Sequence, residues 1–379
     1  MSPANAVNRK MGNDAKAKRG AQGFAKKVAH IIGMSGGLAC GRGSTGLFAL
    51  FSGIRKVLGQ GEVIVPSLCC EAVALAVRAS GHELTLADIS PDTLCMTPET
   101  LAPHIGKNTR AVIIVHSFGI DAKTWQFDIL RKEFPNTIFV EDIAHAFGGH
   151  SSSGIMLGGQ LDFGLTSFAS NKILSGDLGL LLHGASPKVP LDIISKKLPN
   201  SNGSDVPPEL CVSLRNIVHS VADLWRGSGG EKNNAIFPMI EKSYYDIITQ
   251  TRLMPCIESA ENALKNIKHI TTQRHLEYLE WVNIMNDGPF HIPNISEGGT
   301  CWRVPVVFES PKVALAVTRT LRKHGFPVSN HYFPLSVLYG QDSCPNAEMV
   351  ALRIINLWTD GSITLNDKLK IAKLIKKQY

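Results

Sequence analysis

The stretch Val140-Glu141-Asp142-Ile143-Ala144-His145-Ala146 decides the fold, because it joins an apolar run directly to two acids. The preceding residues Ile138-Phe139 extend that run and are of the β-branched and aromatic types typical of strands. A second stretch, Thr166-Ser167-Phe168-Ala169-Ser170-Asn171-Lys172, leads from a strand-like run to a lysine. Each segment therefore predicts a strand that ends near a chemically active side chain.

The chain around these two segments alternates short apolar runs with segments of helical periodicity, from about residue 35 to 185. The predicted strands are Glu62–Pro66, Glu83–Ile89, Arg110–Val115 and Ile138–Val140, and the predicted helices are Glu71–Ala79, Pro98–Ile105 and Trp125–Phe134. Such alternation indicates parallel βαβ units with helices on both faces of a sheet. Ligands of these sheets bind at the carboxyl ends of the strands, where His116 and Asp142 fall.

A smaller α/β domain is predicted after the large one. We place a basic extension at residues 1–30, a large domain at 31–245 and a small domain at 246–379. Apolar residues at steps of three and four predict one long helix from Ile257 to Ile270 at the start of the small domain. Its later elements are predicted as strand Trp302–Phe308, helix Lys312–His324, strand Ile354–Trp358 and helix Asp367–Lys376.

Asp142 and Lys172 are the two side chains that pyridoxal phosphate (PLP) requires. A carboxylate keeps the pyridine nitrogen protonated, so that the ring accepts electrons, and an amine holds the aldehyde as a Schiff base. Each residue alone has an ordinary interpretation, Asp142 as a strand-end ion pair and Lys172 as a solvent-facing lysine. Their combination at the ends of two strands favours a PLP site.

Four further polar residues support a PLP site, namely Ser44, Thr45, His145 and Ser167. Gly43-Ser44-Thr45-Gly46 precedes an apolar helical run, and the first turn of a helix offers N–H groups and hydroxyls to a phosphate, although it also suits a plain N-cap. Ser167 lies five residues before Lys172, where its hydroxyl could reach a phosphate. His145 could approach the ring near Asp142, although a lone histidine is more often structural.

Composition sets broad limits. The 379 residues are 44% hydrophobic and 19% charged, which is typical of a globular protein, and no apolar run has the length of a membrane span. The eight cysteines form no CxxC pair, so a reduced, cytoplasmic protein without a metal site is expected. Residues 1–27 contain seven of the basic side chains and one acidic one, so most of the net charge of +7 lies there. We interpret this tail as a solvated extension. The alternatives are that it contacts phosphate-bearing substrates or nucleic acid.

The chain resembles the DegT/StrS-type sugar aminotransferases, which are PLP enzymes of fold type I, from roughly residue 35 to the C-terminus. The resembling stretches, in order, are Gly43-Ser44-Thr45-Gly46, Val65-Pro66-Ser67, Ala87-Asp88-Ile89, Val115-His116-Ser117-Phe118-Gly119, Glu141–His145, Ser167–Lys172, Gly325-Phe326-Pro327 and His331-Tyr332-Phe333-Pro334-Leu335. The resemblance implies a large domain with a mostly parallel central sheet flanked by helices, and a smaller C-terminal α/β domain.

The resemblance also implies roles for individual residues. Lys172 matches the Schiff-base lysine, Asp142 the partner of the pyridinium nitrogen, and His145 the position near the cofactor's ring oxygen. Thr45 with its neighbour Ser44, and Ser167, match the phosphate contacts. Arg303, His331 and Tyr332 are candidates for substrate contact.

Three positions depart from the family pattern. Cys70 stands where the family usually has an aromatic ring that stacks on PLP. Family members extend an asparagine into the neighbouring subunit's site, and the nearest match here is Gln250 in Gln250-Thr251-Arg252-Leu253-Met254. The tail motif, usually Leu-Pro with a histidine, reads Leu357-Trp358-Thr359-Asp360.

The function implied by the resemblance is transfer of an amino group from an amino acid, with glutamate expected, to a keto group of a nucleotide-linked sugar or a cyclitol. Family members with histidine in place of the lysine perform dehydration, so Lys172 favours transamination. We expect a homodimer, and we expect neither a nucleic acid nor a membrane as a partner. Two alternatives stay open: a PLP-binding regulatory protein without turnover, and another fold-type-I reaction such as decarboxylation or desulfuration.

Overall fold

A seven-stranded sheet forms the centre of the computed structural model, which describes residues 19–198, 208–231, 241–242, 245, 247–248 and 257–379. Its strands are β1 (Gly36–Cys40), β2 (Glu62–Pro66), β3 (Glu83–Ala87), β4 (Thr109–Val115), β5 (Ile138–Asp142), β6 (Phe163–Ser167) and β7 (Gly179–His183). The strand order is β1-β7-β6-β5-β4-β2-β3. Strands β3, β2, β4, β5 and β6 pair in parallel, whereas β7 is antiparallel to both of its neighbours.

Helices connect and cover these strands. They are α1 (19–32), α2 (Gly43–Leu58), α3 (Glu71–Ala79), α4 (Pro98–Leu101), α5 (Asp128–Glu133), α6 (Leu191–Ser195), α7 (Pro208–Gly227), α8 (Ile257–Lys265), α9 (Ile267–Ile284), α10 (Pro311–Lys323), α11 (Leu335–Tyr339), α12 (Pro345–Arg353) and α13 (Leu365–Lys376). A three-stranded antiparallel sheet completes the structure, in the order β10 (Ile354–Trp358), β9 (Arg303–Phe308), β8 (Phe290–His291).

Both faces of the large sheet are buried, as β4 demonstrates. Ile113 and Val115 belong to a core that contains apolar side chains of α1, α2 and α3, whereas Val112 and Ile114 belong to a second core. Successive side chains of a strand point to opposite faces, so an unbroken apolar run is what a doubly covered strand needs. The predicted class, α/β with a mostly parallel sheet flanked by helices, is therefore what the structure has.

The second core joins the large sheet to the C-terminal elements. It includes Trp281 of α9, Val304 of β9 and Ile371 of α13 together with Val112, Ile114 and Phe139 of the large sheet. The C-terminal third thus packs on the sheet directly and comes close to its carboxyl edge.

Several predicted elements differ from the observed ones. The helix predicted from Ile257 to Ile270 is two helices, because Asn266 at their junction has non-helical backbone angles (φ −102°, ψ 11°). The helix predicted over Pro98–Ile105 ends at Leu101, and the one predicted over Trp125–Phe134 begins as a 3₁₀ turn, Thr124–Phe127. The antiparallel direction of β7 has no counterpart among the predictions.

Two predicted features fall outside the described residues, namely Gln250 and most of the basic extension, whose first described residue is Arg19. Within the described ranges, no helix combines the length and the apolar character that crossing a bilayer requires.

A close approach of backbones attaches the segment before β9 to the large sheet. The N–H of Thr300 donates to the carbonyl of Gly119 (3.3 Å), and the N–H of Trp302 donates to the carbonyl of Phe118 (2.9 Å). Gly119 has φ +91°, and a Cβ there would lie 2.5 Å from Oγ1 of Thr300 and 2.8 Å from the nitrogen of Cys301. Only glycine allows this contact, so Gly119 places residues 300–302 at the end of β4.

Gly119→Ala tests this constraint. The substitution should lower the free energy of unfolding by the backbone strain of a positive φ, about 1 kcal/mol, plus about 1–3 kcal/mol for the steric clash. Gly33→Ala is the matched control, because Gly33 has a similar φ of +86° but open space around a Cβ. Denaturant titration of both variants measures the difference, and equal losses would contradict the close approach.

Candidate active site

A cavity of about 470 Å³ opens at the carboxyl edge of the large sheet. The predicted site residues that line it are Ser44, Cys70, Asp142, Ser167, Lys172, His331 and Tyr332. They come from the ends of β5 and β6, the starts of α2 and α3, the turn after β6 and the segment before α11. Side chains separated by up to 288 positions are therefore brought together, since parallel strands end at one edge.

Asp142 is the last residue of β5 and is buried. The one hydrogen bond to its side chain among the described residues comes from the N–H of Ala144, at 2.9 Å. Burial raises the pKa of this carboxyl, while the nearby Lys172 and His116 act in the opposite direction. A buried carboxylate with so little compensation is suited to a cationic or N–H partner inside the cavity.

The neighbouring Glu141 points to the other face of β5 and fixes the surrounding loops. Its fully buried carboxylate accepts hydrogen bonds from the N–H groups of Gly158 (2.6 Å) and Gln160 (2.9 Å). Nε2 of His116 lies 3.1 Å from the same carboxylate, and Nδ1 of His116 accepts from the N–H of Ala122 (3.1 Å). His116 therefore carries its proton on Nε2, and the ends of β4 and β5 are tied together.

Lys172 follows β6 in a turn, and its amine lies against His145. Nζ of Lys172 is 2.7 Å from Nε2 of His145, and the hydroxyl of Tyr332 is also 2.7 Å from that nitrogen. Burial lowers the pKa of Lys172. Burial and, next, the charge of Lys172 lower the pKa of His145 well below its ordinary value, so His145 is neutral. The neutral imidazole can therefore accept a hydrogen bond from the lysine amine, and the lowered pKa of Lys172 favours the uncharged amine that serves as a base.

Trp302 also lines the cavity, although it is not among the site residues predicted from the sequence. Its ring stacks on that of His145 at 3.8 Å between centroids with an interplanar angle of 6°. Nζ of Lys172 lies 5.0 Å from the Trp302 ring centroid, and the indole N–H donates to the carbonyl of Asn171 at 2.7 Å. The sequence offers an apolar strand beginning at Trp302, which accounts for a tryptophan as core, and no local signal points to the cavity.

The start of α2 meets the end of β6 at another part of the cavity. Gly43 and Ser44 line it together with Ser167, and a Cβ on Gly43 would lie 3.4 Å from the Cβ of Ser167. No side chain caps the N-terminus of α2, whose first turn also lacks acidic residues. Thr45 is fully buried one position deeper, and Oγ1 has no hydrogen-bond partner among the described residues. This arrangement can bind an anion.

Cys70 precedes α3 and lines the cavity, at the position where the resemblance implies an aromatic ring. Its Sγ lies 3.7 Å from Oε2 of Glu71. Burial, and then the charge of Glu71, raise the pKa of Cys70 to about 12, so the thiol is protonated. A protonated thiol is a small apolar surface rather than a nucleophile.

The three substrate candidates differ in position. His331 and Tyr332 line the cavity, and burial, followed by the charge of His219, lowers the pKa of His331 to about 3. Arg303 is not among the described lining residues. Its guanidinium lies between the rings of Trp302 (4.9 Å) and Trp358 (4.3 Å), with Asp360 at 3.7 Å.

The chain has the fold of the fold type I aminotransferases with which it superposes. PseC of Helicobacter pylori, an aminotransferase involved in the biosynthesis of pseudoaminic acid, superposes with a TM-score of 0.73 at 19% identity, over 97% of this chain and 96% of PseC. DesI, solved with its TDP-sugar product, superposes with a TM-score of 0.71 at 19% identity, over 95% of this chain and 84% of DesI.

The sequence comparison gives a similarity to one aminotransferase family, over the N-terminal part of the chain. The model of the DegT/DnrJ/EryC1/StrS aminotransferase family matches residues 5–183, which confirms the resemblance that the motifs predict. The L-glutamine:2-deoxy-scyllo-inosose aminotransferase of Streptomyces fradiae is 32% identical over 162 residues, 42% of this chain and 37% of that protein. The dTDP-4-dehydro-2,3,6-trideoxy-D-glucose 4-aminotransferase of Saccharopolyspora spinosa is 30% identical over 149 residues, 38% of each chain. The chain therefore spans little more than a third of the length of these curated relatives.

Glu141→Gln tests the anchoring of the site. Glutamine retains an acceptor for Gly158 but places a donor against the N–H of Gln160, which leaves buried groups unpaired. The free energy of unfolding should fall by about 2 kcal/mol. Glu83→Gln, an exposed position at the start of β3, is the control and should change little. If Glu141→Gln lowers the free energy of unfolding no more than Glu83→Gln does, the hydrogen bonds to Glu141 do not anchor the loop between β5 and β6.

Proposed function

We propose that this protein is a PLP-dependent aminotransferase that moves an amino group from an amino acid to a keto group of a nucleotide-linked sugar or a cyclitol. The observation that carries the proposal is the presence of Asp142 and Lys172 in one cavity at the carboxyl edge of a parallel sheet. The ordinary interpretation of Asp142 is an ion pair at the end of a strand. Among the described residues its carboxylate instead accepts one hydrogen bond, from the N–H of Ala144.

The chemistry of the residues that line the cavity or lie beside it fits PLP, which the family resemblance also implies. Asp142 is a buried carboxylate in need of an N–H partner, and the ring nitrogen of PLP would be one. The uncapped first turn of α2, with Ser44 and Thr45, and the hydroxyl of Ser167 would hold the phosphate. His145, whose Nδ1 is buried without a partner in the described part of the chain, would contact the ring oxygen.

PLP, when bound, supplies an aldehyde that joins covalently to an amine and a ring that accepts an electron pair. The protein's own groups do the rest. Asp142 would hold a proton on the ring nitrogen. Lys172 would hold the aldehyde and would also carry a proton to and from the reacting carbons. Its lowered pKa favours the neutral amine, which can take up a proton as a base and return it as an acid.

The substrate class is inferred from the relatives. Proteins at 30% or more identity act on 2-deoxy-scyllo-inosose, a cyclitol ketone, and on a dTDP-linked keto sugar. Several of them use L-glutamine by name, so glutamine joins glutamate as a candidate donor. His331 and Tyr332 line the cavity, which supports their proposed contact with this substrate. We also propose a homodimer, as the resemblance implies.

Lys172→Ala tests the reaction. The wild-type protein incubated with PLP should absorb in the visible range, and borohydride should fix a pyridoxyl group on Lys172, which peptide mass spectrometry locates. The alanine variant should lack this adduct. Its rate of glutamate- or glutamine-driven conversion of PLP to pyridoxamine phosphate should fall at least about a thousandfold, because proton transfer and amine exchange lose their shared group.

Lys196→Ala is the control for that experiment, since Lys196 is an exposed lysine that pairs with Asp192. Full activity of the Lys172 variant would overturn the assignment. PLP attachment to Lys172 without donor-driven conversion would instead support the regulatory alternative. Carbon dioxide or sulfur release from an amino acid would identify the other fold-type-I reactions.

Cys70→Phe tests the missing aromatic ring. If Cys70 faces the plane of the bound pyridine, phenylalanine should tighten PLP binding about two- to tenfold, which corresponds to a stacking contribution of about 0.5–1.5 kcal/mol. Cys70→Leu adds apolar surface without a π-system and is the matched control. Fluorescence titration with PLP measures both affinities. Equal tightening by leucine would remove the stacking explanation, and weaker binding by both variants would place the ring elsewhere.

A further inference from the structure

Trp302 makes three directed contacts with groups of the site, although it enters from the C-terminal third of the chain. Its ring stacks on His145 (3.8 Å), its face lies 5.0 Å from Nζ of Lys172, and its N–H donates to the carbonyl of Asn171 (2.7 Å). An indole whose N–H is hydrogen-bonded and whose face is stacked on a histidine is held in one orientation.

The backbone that carries Trp302 is held as firmly as its ring. Oγ1 of Thr300 donates to the carbonyl of His145 at 2.7 Å, and the N–H of Trp302 donates to the carbonyl of Phe118 at 2.9 Å. Cys301 and Phe118 both have positive φ values, +48° and +57°. Non-glycine residues rarely adopt this conformation, and it persists only where the surroundings over-determine it.

We propose that Trp302 is a positioning residue, which fixes the imidazole of His145 and the turn of Lys172 so that the lysine amine stays enclosed. This proposal rests on the amino transfer proposed above, which requires the amine of Lys172 to keep a fixed position in the site. The stacked imidazole cannot rotate while the indole is in place. The bond to Asn171 holds the residue adjacent to Lys172, so the indole acts on the lysine from two directions.

Enclosure has a measurable consequence for the lysine. Burial of an amine shifts its pKa downward by up to several units, whereas a cation over an indole gains about 0.5–2 kcal/mol, roughly one unit in the opposite direction. Burial therefore dominates, and removal of the indole should raise the pKa of Lys172. The charged and titratable groups that face this amine are Cys70, Glu71, Asp142, His145, Arg303 and His331.

The experiment is competitive labelling of the cofactor-free protein with acetic anhydride across a pH series, with peptide mass spectrometry for each lysine. Trp302→Ala should move the labelling midpoint of Lys172 upward by about one pH unit, and Trp302→Phe should increase the labelling rate at pH 8 about threefold through loss of the bond to Asn171. Lys196 serves as the internal reference. Trp358→Phe is the matched control, because Trp358 contacts the other side of Arg303 and does not line the cavity among the described residues.

An unchanged Lys172 profile in folded Trp302→Ala and Trp302→Phe proteins would overturn the proposal, even if both were less stable than the Trp358 control. Should the alanine variant fail to fold, the phenylalanine variant decides, and a labelling rate equal to that of wild type contradicts the positioning role. Because PLP is absent from this measurement, its result is independent of whether the proposed transamination occurs.

Discussion

The buried carboxylate of Glu141 is the constraint on which the rest of the site depends. A charge without water is tolerated only where hydrogen bonds replace the water, and here two backbone amides and His116 do so. Those partners belong to the loop after β5 and to the end of β4. Adjacent residues of a strand face opposite ways, so Glu141 secures the framework while Asp142 is presented, rigidly, to the cavity.

The alternation of strands and helices was sufficient to predict the sheet and its functional edge. Asp142 and Lys172 line one cavity because β5 and β6 are neighbouring parallel strands, so an acid at one end and a lysine beyond the other converge. The direction of β7 could not be read from its sequence, since an apolar run such as Leu180-Leu181-Leu182 fits either direction. The break at Asn266 was hidden for a similar reason, because the apolar spacing continues across it.

Side-chain direction was the main limit on predicting the site. Trp302 and Arg303 are adjacent, yet the tryptophan enters the cavity while the arginine turns away between two aromatic rings. Ser44 and Thr45 differ likewise, by one step around a helix. These choices depend on register and on contacts such as that at Gly119, which are set by the tertiary structure. A sequence motif identifies the type of site, whereas the tertiary structure determines which individual side chains line it.

Asn171 and Trp302 are 131 positions apart in the chain, and this separation has a consequence for biosynthesis. Domains fold from the N-terminus while the ribosome is still elongating, so the large sheet and its lysine emerge well before the tryptophan is translated. During that interval the nascent site lacks the indole that covers it. The contact between Asn171 and Trp302 therefore forms only after the C-terminal third has left the ribosome, so the enclosure of Lys172 is completed last.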